Sequence, residues 1–170
     1  MIQKKIVRDD LLYHMVHGLC RVNQVTKESQ SGREVLSYSL VPKMPTRMKV
    51  RFVISAVDME ASGFHSPVSP KKANEILEYL KAGNSTAVAE EDQTWNLAKT
   101  IFSSSHDSPE IKDTKKRQIL ERSAKGLVGE LAFALKMTMK ETATKVQKSL
   151  GDASKISPMV LSALAHAGED

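Results

Sequence analysis

A chain of 170 residues with 41% hydrophobic content is long enough for one domain of ordinary size or two small ones. Its single cysteine, Cys20, excludes an intramolecular disulfide. No stretch approaches the roughly 18 consecutive apolar residues of a membrane-spanning helix, and the N-terminus lacks the apolar run of a secretory signal. We therefore expect a cytoplasmic protein that does not enter a membrane.

The net charge of +5 lies in the first half of the chain. Residues 1–83 hold 13 Lys and Arg against 8 Asp and Glu, whereas residues 84–170 hold 12 of each. The neutral half still contains a local cationic run at residues 112–125. A run of this kind can lie along the phosphates of a nucleic acid.

Alternating apolar and polar side chains between residues 11 and 54 predict antiparallel strands. The alternation is poor in the second of these strands, which indicates a bulge or a strong bend. The expected result is a small, curled, barrel-like sheet. The predicted strands lie near residues 11–17, 19–27, 33–41 and 47–54.

Three cations, Arg47, Lys49 and Arg51, occupy alternate positions of the fourth predicted strand. In a regular strand they point to the same side and form a row. Two interpretations stay open. The row either protects an exposed edge strand by its charge or contacts an acidic or phosphate-bearing partner.

The rest of the chain has helical patterns. Pro70 and Gly83 delimit a predicted helix of about 12 residues, and the polar, acidic residues 83–94 predict a hinge. Residues 156–170 either complete the helical bundle or drive self-association. Four further helices of a compact bundle are predicted near residues 93–103, 112–136, 138–150 and 157–167.

The longest predicted helix is amphipathic. Its apolar side chains fall in one arc, and its polar side chains lie roughly opposite, where they face a partner or water. The apolar set is Leu120, Ala124, Leu127, Val128, Leu131 and Leu135. The polar set is Lys115, Gln118, Arg122 and Lys125.

The sequence offers little support for catalysis or for a cofactor. His14 and His17 are expected on opposite faces of a short strand, which does not suit a metal site. The run 105–107, Ser-His-Asp, contains triad residue types but is interpreted as a loop before a helix, and Cys20 is interpreted as a buried small hydrophobe. No dinucleotide or P-loop motif occurs. We expect a non-enzymatic protein without cofactor or metal.

Several segments together resemble the CarD/CdnL family of bacterial RNA polymerase-binding transcription regulators. The first, residues 10–22, reads DLLYHMVHGLCRV, and the last, residues 125–132, reads KGLVGELA. The likeness covers most of residues 9–150 and rests on the order and spacing of its parts. The intervening segments are residues 33–40, 48–53 and 63–69.

The resemblance implies an α+β protein of two domains: an N-terminal Tudor-like small antiparallel β-barrel, then a C-terminal all-α helical bundle. The expected polymerase-interacting domain is 1–68, the connecting helix and hinge are 69–92, and the DNA-contacting domain is 93–170. The resemblance also implies two partners, the polymerase β-subunit lobe and promoter DNA. In this family a tryptophan at the start of the helical domain wedges into the minor groove and stabilises the open complex.

The chain departs from the family pattern in three ways. Met15 replaces a proline, Asp9 replaces a glycine, and the helical half is short by about one helix. In one alignment the run 94–96, Thr-Trp-Asn, matches the family's hinge tryptophan and a later helix is missing. In the other, residues 95–102 match the family's second helix, and the DNA-wedging helix is missing. The only tryptophan, Trp95, is therefore either an exposed wedge or a core residue packed against Ile101, Leu120 and Leu127.

The leading hypothesis is a regulator, associated with the nucleoid, that binds RNA polymerase and contacts promoter DNA without sequence specificity. Arg51 matches the family's polymerase-contacting position, and Arg47 and Lys49 are added because they share its row. The alternative is an adaptor that binds polymerase and does not touch DNA, because the DNA-wedging helix is missing. The predicted DNA-binding residues are Trp95, Lys99, Lys115, Lys116, Arg122 and Lys125.

Overall fold

The computed structural model of the protein describes residues 5–44, 49–83, 93–106 and 114–169. The chain divides into two compact units, Met1–Pro67 and Val68–Asp170. The first unit contains strands and the second contains helices, so the protein is α+β.

The first unit is built on a four-stranded antiparallel sheet in the order β1-β2-β3-β4. Ser31 and Gly32 join β2 to β3 with φ angles of 53° and 78°, the backbone that tight two-residue hairpins favour. β2 pairs with β3 along most of its length, and a register shift between Val22 and Gln24 marks the predicted bulge, which is confirmed. The strands are β1 (Leu11–His14), β2 (Gly18–Gln30), β3 (Arg33–Pro42) and β4 (Phe52–Ser55).

The sheet is open within the described residues. β1 and β4 each pair with one neighbouring strand, and no ladder there joins them to each other. An isolated bridge between Tyr13 and His65 adds one further pairing beside β1. The buried core of the sheet unit contains Leu12, Cys20, Val22, Tyr38, Leu40 and Phe64.

The second unit begins with helix α1 (Pro70–Ala82), which starts and ends as local chemistry predicts. The Ser69 side chain accepts a hydrogen bond from the Lys72 N–H, and Pro70 occupies the first turn. Gly83 ends the helix with φ 74°, where a Cβ would lie 2.7 Å from Cζ of Phe102. Glycine is therefore required there both by the backbone and by the close ring.

Four more α-helices follow in the described part of the second unit. Helix α4 starts with a capping box in which the Thr138 side chain accepts from the Glu141 N–H and the Glu141 side chain accepts from the Thr138 N–H. α5 buries Val160, Ala163 and Leu164 in the helical core, so the C-terminal residues complete this unit. The helices are α2 (Gln93–Ser105), α3 (Thr114–Leu135), α4 (Met139–Leu150) and α5 (Pro158–Ala167).

Helix α1 is part of the helical core. Ile76, Leu77 and Leu80 are buried together with residues of α2, α3, α4 and α5. The sequence had placed this helix in a connecting segment, because its apolar spacing does not reveal which partner it packs against. The second unit accordingly begins at Val68, before α1.

Candidate nucleic-acid interface

Helix α3 exposes three of the predicted DNA-contacting cations, Lys115, Arg122 and Lys125. At 3.6 residues per turn they fall within an arc of about 80° and span about 15 Å along the helix axis. The opposite arc of α3 is buried in the helical core. We call these three residues the α3 cationic face.

Two exposed apolar side chains lie on the same side of α3. Ile119 is 49% exposed and Phe133 is 38% exposed. On a helical wheel both fall within about 40° of Lys115. The α3 cationic face therefore offers some apolar contact area beside its charges.

The acid nearest to this face along the helix, Glu121, is engaged by another residue. Arg117 Nε donates to Glu121 Oε1 at 3.1 Å, an exposed pair one helical turn apart. Such a pair contributes about 0.3–0.5 kcal/mol to stability. Within the part of the chain that the structure describes, Lys115, Arg122 and Lys125 form no ion pair.

Two other predicted cations lie apart from the α3 cationic face. Lys116 is half-buried and sits about 100° around the helix from Lys115. Lys99 is half-buried on a different helix, α2. The predicted cations are thus not one continuous surface, since the sequence grouped them by proximity along the chain and not by helical phase.

The Trp95 ring is buried in the core of the helical unit. It is 5% exposed and packs edge-on against Tyr79 of α1, with ring centroids 5.5 Å apart and planes at 78°. A minor-groove wedge needs an exposed ring, so the expectation of an exposed wedge is wrong for this conformation and the core alternative holds. Burial follows from the position of Trp95 on the inner side of α2, which its polar neighbours in sequence concealed.

Next to Trp95, a buried carboxylate joins three segments of the helical unit. Glu130 of α3 is fully buried. Its Oε1 accepts a hydrogen bond from the Val68 backbone N–H at 3.1 Å, and its Oε2 accepts one from the Thr94 hydroxyl at 2.9 Å. Polar groups removed from water need such partners, so this network fixes the start of α2 and the entry to α1 against α3.

Glu130 was not predicted from the sequence as a site residue. A signal was present, because Glu130 falls on the packed side of α3, about 60° from Leu127 on the helical wheel. An acid on a packed face indicates a buried hydrogen-bond partner. Its partners could not be named from sequence, since they lie 36 and 62 residues away.

The predicted polymerase-binding residues lie near strand β4 but outside it. Lys49 and Arg51 are exposed, and β4 begins at Phe52. Arg47 lies outside the described residues. Lys49 and Arg51 therefore precede the regular strand to which the prediction assigned them, while Phe52 and Ile54 of β4 pack against the sheet core.

A cluster of aromatic rings lies at one end of the sheet unit. The His14 and His17 rings stack with centroids 4.6 Å apart, so the expectation that they face opposite sides is wrong. The His14 Nδ1 accepts hydrogen bonds from the Val16 and His17 backbone N–H groups, at 3.1 and 3.3 Å. Its Nε2 lies 3.2 Å from the Ser62 carbonyl, which assigns the proton to Nε2.

This environment favours the neutral form of His14. Burial lowers its pKa below the usual value, and the neighbouring His17 and His65 lower it further, against an opposing hydrogen bond to Ser62. Among the described residues no group of three or more His, Cys, Asp or Glu could hold a metal ion. The stacked rings of His14 and His17 lie at the turn between β1 and β2.

The Ser105 hydroxyl, a candidate catalytic group, lies 3.0 Å from Nδ1 of the neighbouring His106. Ser105 is buried in the last turn of α2, where its hydroxyl donates to the Phe102 carbonyl at 2.6 Å. His106 follows it, and Asp107 lies outside the described residues. Burial raises the pKa of the Cys20 thiol, which keeps it protonated and poorly nucleophilic.

Comparison of the chain with models of protein families and with curated protein sequences gives no match. Within the described ranges, no helix is both long and apolar enough to cross a membrane.

Proposed function

We propose that this protein is a CarD-like transcription regulator that binds bacterial RNA polymerase and contacts promoter DNA without sequence specificity. The order of its parts, a sheet unit followed by a helical unit, agrees with that family's organisation. In this proposal the open four-stranded sheet corresponds to the family's Tudor-like barrel, and it docks on the β-subunit lobe.

One observation carries the proposal. Two segments that resemble the family pack together in the core of the helical unit: residues 95–102, in the alignment that leaves Trp95 in the core, and residues 125–132. The two segments therefore support a shared architecture.

The proposed DNA contact uses the α3 cationic face. Lys115, Arg122 and Lys125 are exposed and free of ion pairs among the described residues, so they can approach phosphates. Contacts to phosphates do not read base sequence. Trp95 is left out of this contact because its ring is buried.

The proposed polymerase contact uses the β4 edge and the cations before it. β4 is an outer strand of the sheet, and Val53 on it is 64% exposed. An exposed edge can accept a strand from a partner, and Lys49 and Arg51 can pair with acids beside it.

Two triple variants test the DNA part separately from folding. Replacing Lys115, Arg122 and Lys125 with glutamine should lower the slope of log affinity against log salt for duplex DNA, by about 0.9 for each phosphate that is no longer neutralised. Exposed lysines elsewhere in the helical unit supply a control: Lys71, Lys81 and Lys155 changed to glutamine. An equal slope in both variants would contradict the DNA part.

The polymerase part is tested by pull-down with the purified enzyme. The double change Lys49→Glu and Arg51→Glu should abolish capture, while Lys27→Glu with Arg33→Glu, on the exposed β2–β3 hairpin, should leave it intact. Capture that survives the first pair and fails with the second would refute the assigned surface.

The burial of Trp95 favours a second candidate, an adaptor that binds polymerase without contacting DNA. Under this function the α3 cationic face would contact protein. Footprinting of a promoter complex decides between the two: protection of DNA that disappears with the α3 variant favours the regulator, and no added protection favours the adaptor.

A further inference from the structure

Helix α4 carries a second basic surface, which was not predicted from the sequence. Lys140, Lys145 and Lys148 are all exposed on this helix. With Met137, Glu141 and Thr144 they line a concave surface of about 550 Å³. We call the three lysines the α4 lysine face.

The amphipathic pattern of α4 directs these lysines outward. Thr142, Ala143 and Val146 are its buried residues, and Ala143 and Val146 join the helical core. The capping box at Thr138 fixes where the helix starts and hence its phase. The exposure of the lysines thus follows from a defined helix and not from a loose terminus.

The one acid in this concave surface has a structural role. Glu141 Oε2 accepts hydrogen bonds from the backbone N–H and the hydroxyl of Thr138, both at 3.0 Å. These bonds, the backbone one first, lower the pKa of Glu141 and hold it at the helix start. Within the described residues none of the three lysines forms an ion pair, so the surface keeps a net positive charge.

The neighbouring hydroxyls do not add ligand-binding groups. Thr144 Oγ1 donates to the Lys140 carbonyl at 3.0 Å, and Ser149 Oγ donates to the Lys145 carbonyl at 3.0 Å. The lining also contains no aromatic ring on which a base could stack. The concave surface on α4 therefore offers lysine ammonium groups to a partner.

The spacing and charge of the three α4 lysines match the phosphate backbone of a DNA duplex. Lys140 and Lys148 are eight residues apart, or about 12 Å along the helix axis, and the three lysines spread over about 140° around it with Lys148 in the middle. Double-stranded DNA carries one negative charge for about every 1.7 Å of its axis, so the three ammonium groups can each meet a phosphate. Lysine contacts phosphate as a point charge, without the geometric demands of base recognition.

We propose that the α4 lysine face is a second contact to the sugar-phosphate backbone of duplex DNA, separate from the α3 cationic face. The inference rests on the proposed function and specifies how this chain contacts DNA. It assigns DNA contact to a helix where sequence reasoning placed none.

The test compares three variants of the full chain in binding to one duplex over a range of salt. Replacing Lys140, Lys145 and Lys148 with glutamine keeps good helix formers in α4. We expect the log–log salt slope to fall by up to about 2.7 and the affinity at 0.1 M salt to fall by up to about 500-fold. The control variant, with Lys71, Lys81 and Lys155 changed to glutamine, should keep the salt slope and the affinity of the parent protein. Emission from Trp95 and the helical circular dichroism report whether each variant is folded.

The outcomes separate this inference from the proposed function. If the α4 variant keeps the salt slope of the parent protein while the α3 variant has a reduced salt slope, the inference is overturned and the proposed function stands. No salt-dependent binding by the parent protein overturns both. If the α4 variant loses binding to polyglutamate or single-stranded RNA but keeps duplex binding, the surface serves another partner and the inference fails.

Discussion

Replacing Glu130 with leucine should destabilise the helical unit by removing the acceptor of two buried hydrogen bonds. The Val68 N–H and the Thr94 hydroxyl both donate to this carboxylate. Losing one such buried hydrogen bond costs about 1–3 kcal/mol, so losing two costs about 4 kcal/mol. Burying the leucine side chain offsets roughly 1.5–3 kcal/mol of this loss in stability. We expect a net loss of about 2 kcal/mol in the free energy of unfolding.

Two companion variants isolate the cause. Glutamine at position 130 keeps one oxygen for the Val68 N–H, and its amide can donate to the Thr94 hydroxyl, so we expect a loss of under about 1 kcal/mol. Valine at position 94 removes one of the two donors. When Thr94→Val is combined with Glu130→Leu, the free energy of unfolding should therefore be about 1 kcal/mol or more higher than for Glu130→Leu alone.

Thermal unfolding followed by tryptophan emission measures these changes in the stability of the helical unit. The single tryptophan, Trp95, lies in the core of the helical unit. For a unit of this size, about 2 kcal/mol corresponds to a fall in Tm of roughly 8–16 °C. An unchanged Tm for Glu130→Leu, or a further fall in Tm when Thr94→Val is added, would refute the idea that the lost hydrogen bonds to Glu130 dominate the change in stability.

Three further measurements test other contacts. Trp95 should emit at short wavelength and resist quenching by iodide, because its ring is buried; red-shifted, readily quenched emission would contradict this. The pKa of His14 is lowered in the folded state, chiefly by burial, so the sheet unit should lose stability as pH falls below about 6.5, and His14→Gln should weaken that dependence. Gly83→Ala places a Cβ against the Phe102 ring and should lower the Tm more than Gly151→Ala, which has positive φ but open space; equal losses would show that backbone strain alone matters.

The helices were predictable because local chemistry sets their ends. Pro70 and Gly83 bound α1, as expected from the sequence, and the capping box of Thr138 with Glu141 begins α4. The bulge in β2 was predictable too, since the alternation of side chains fails there. Each of these signals lies within a few residues of the feature that it determines.

Features that depend on distant partners were not predictable. β4 begins at Phe52 because its pairing with β3 starts at Leu40, and that pairing cannot be seen in the cations before it. The burial of Trp95 depends on Tyr79 of another helix. The role of Glu130 likewise depends on partners far away in sequence. The candidate site was therefore predicted as residue types, while its grouping into separate faces required the fold.

The shared carboxylate also bears on how the chain can change in length. Val68 and Thr94 are held to the same side chain, so the segment between them has both ends fixed by Glu130. We expect this segment to accept inserted residues between positions 83 and 93 while the helical core keeps its packing. That stretch is accordingly a suitable place to insert a reporter tag or a second binding module.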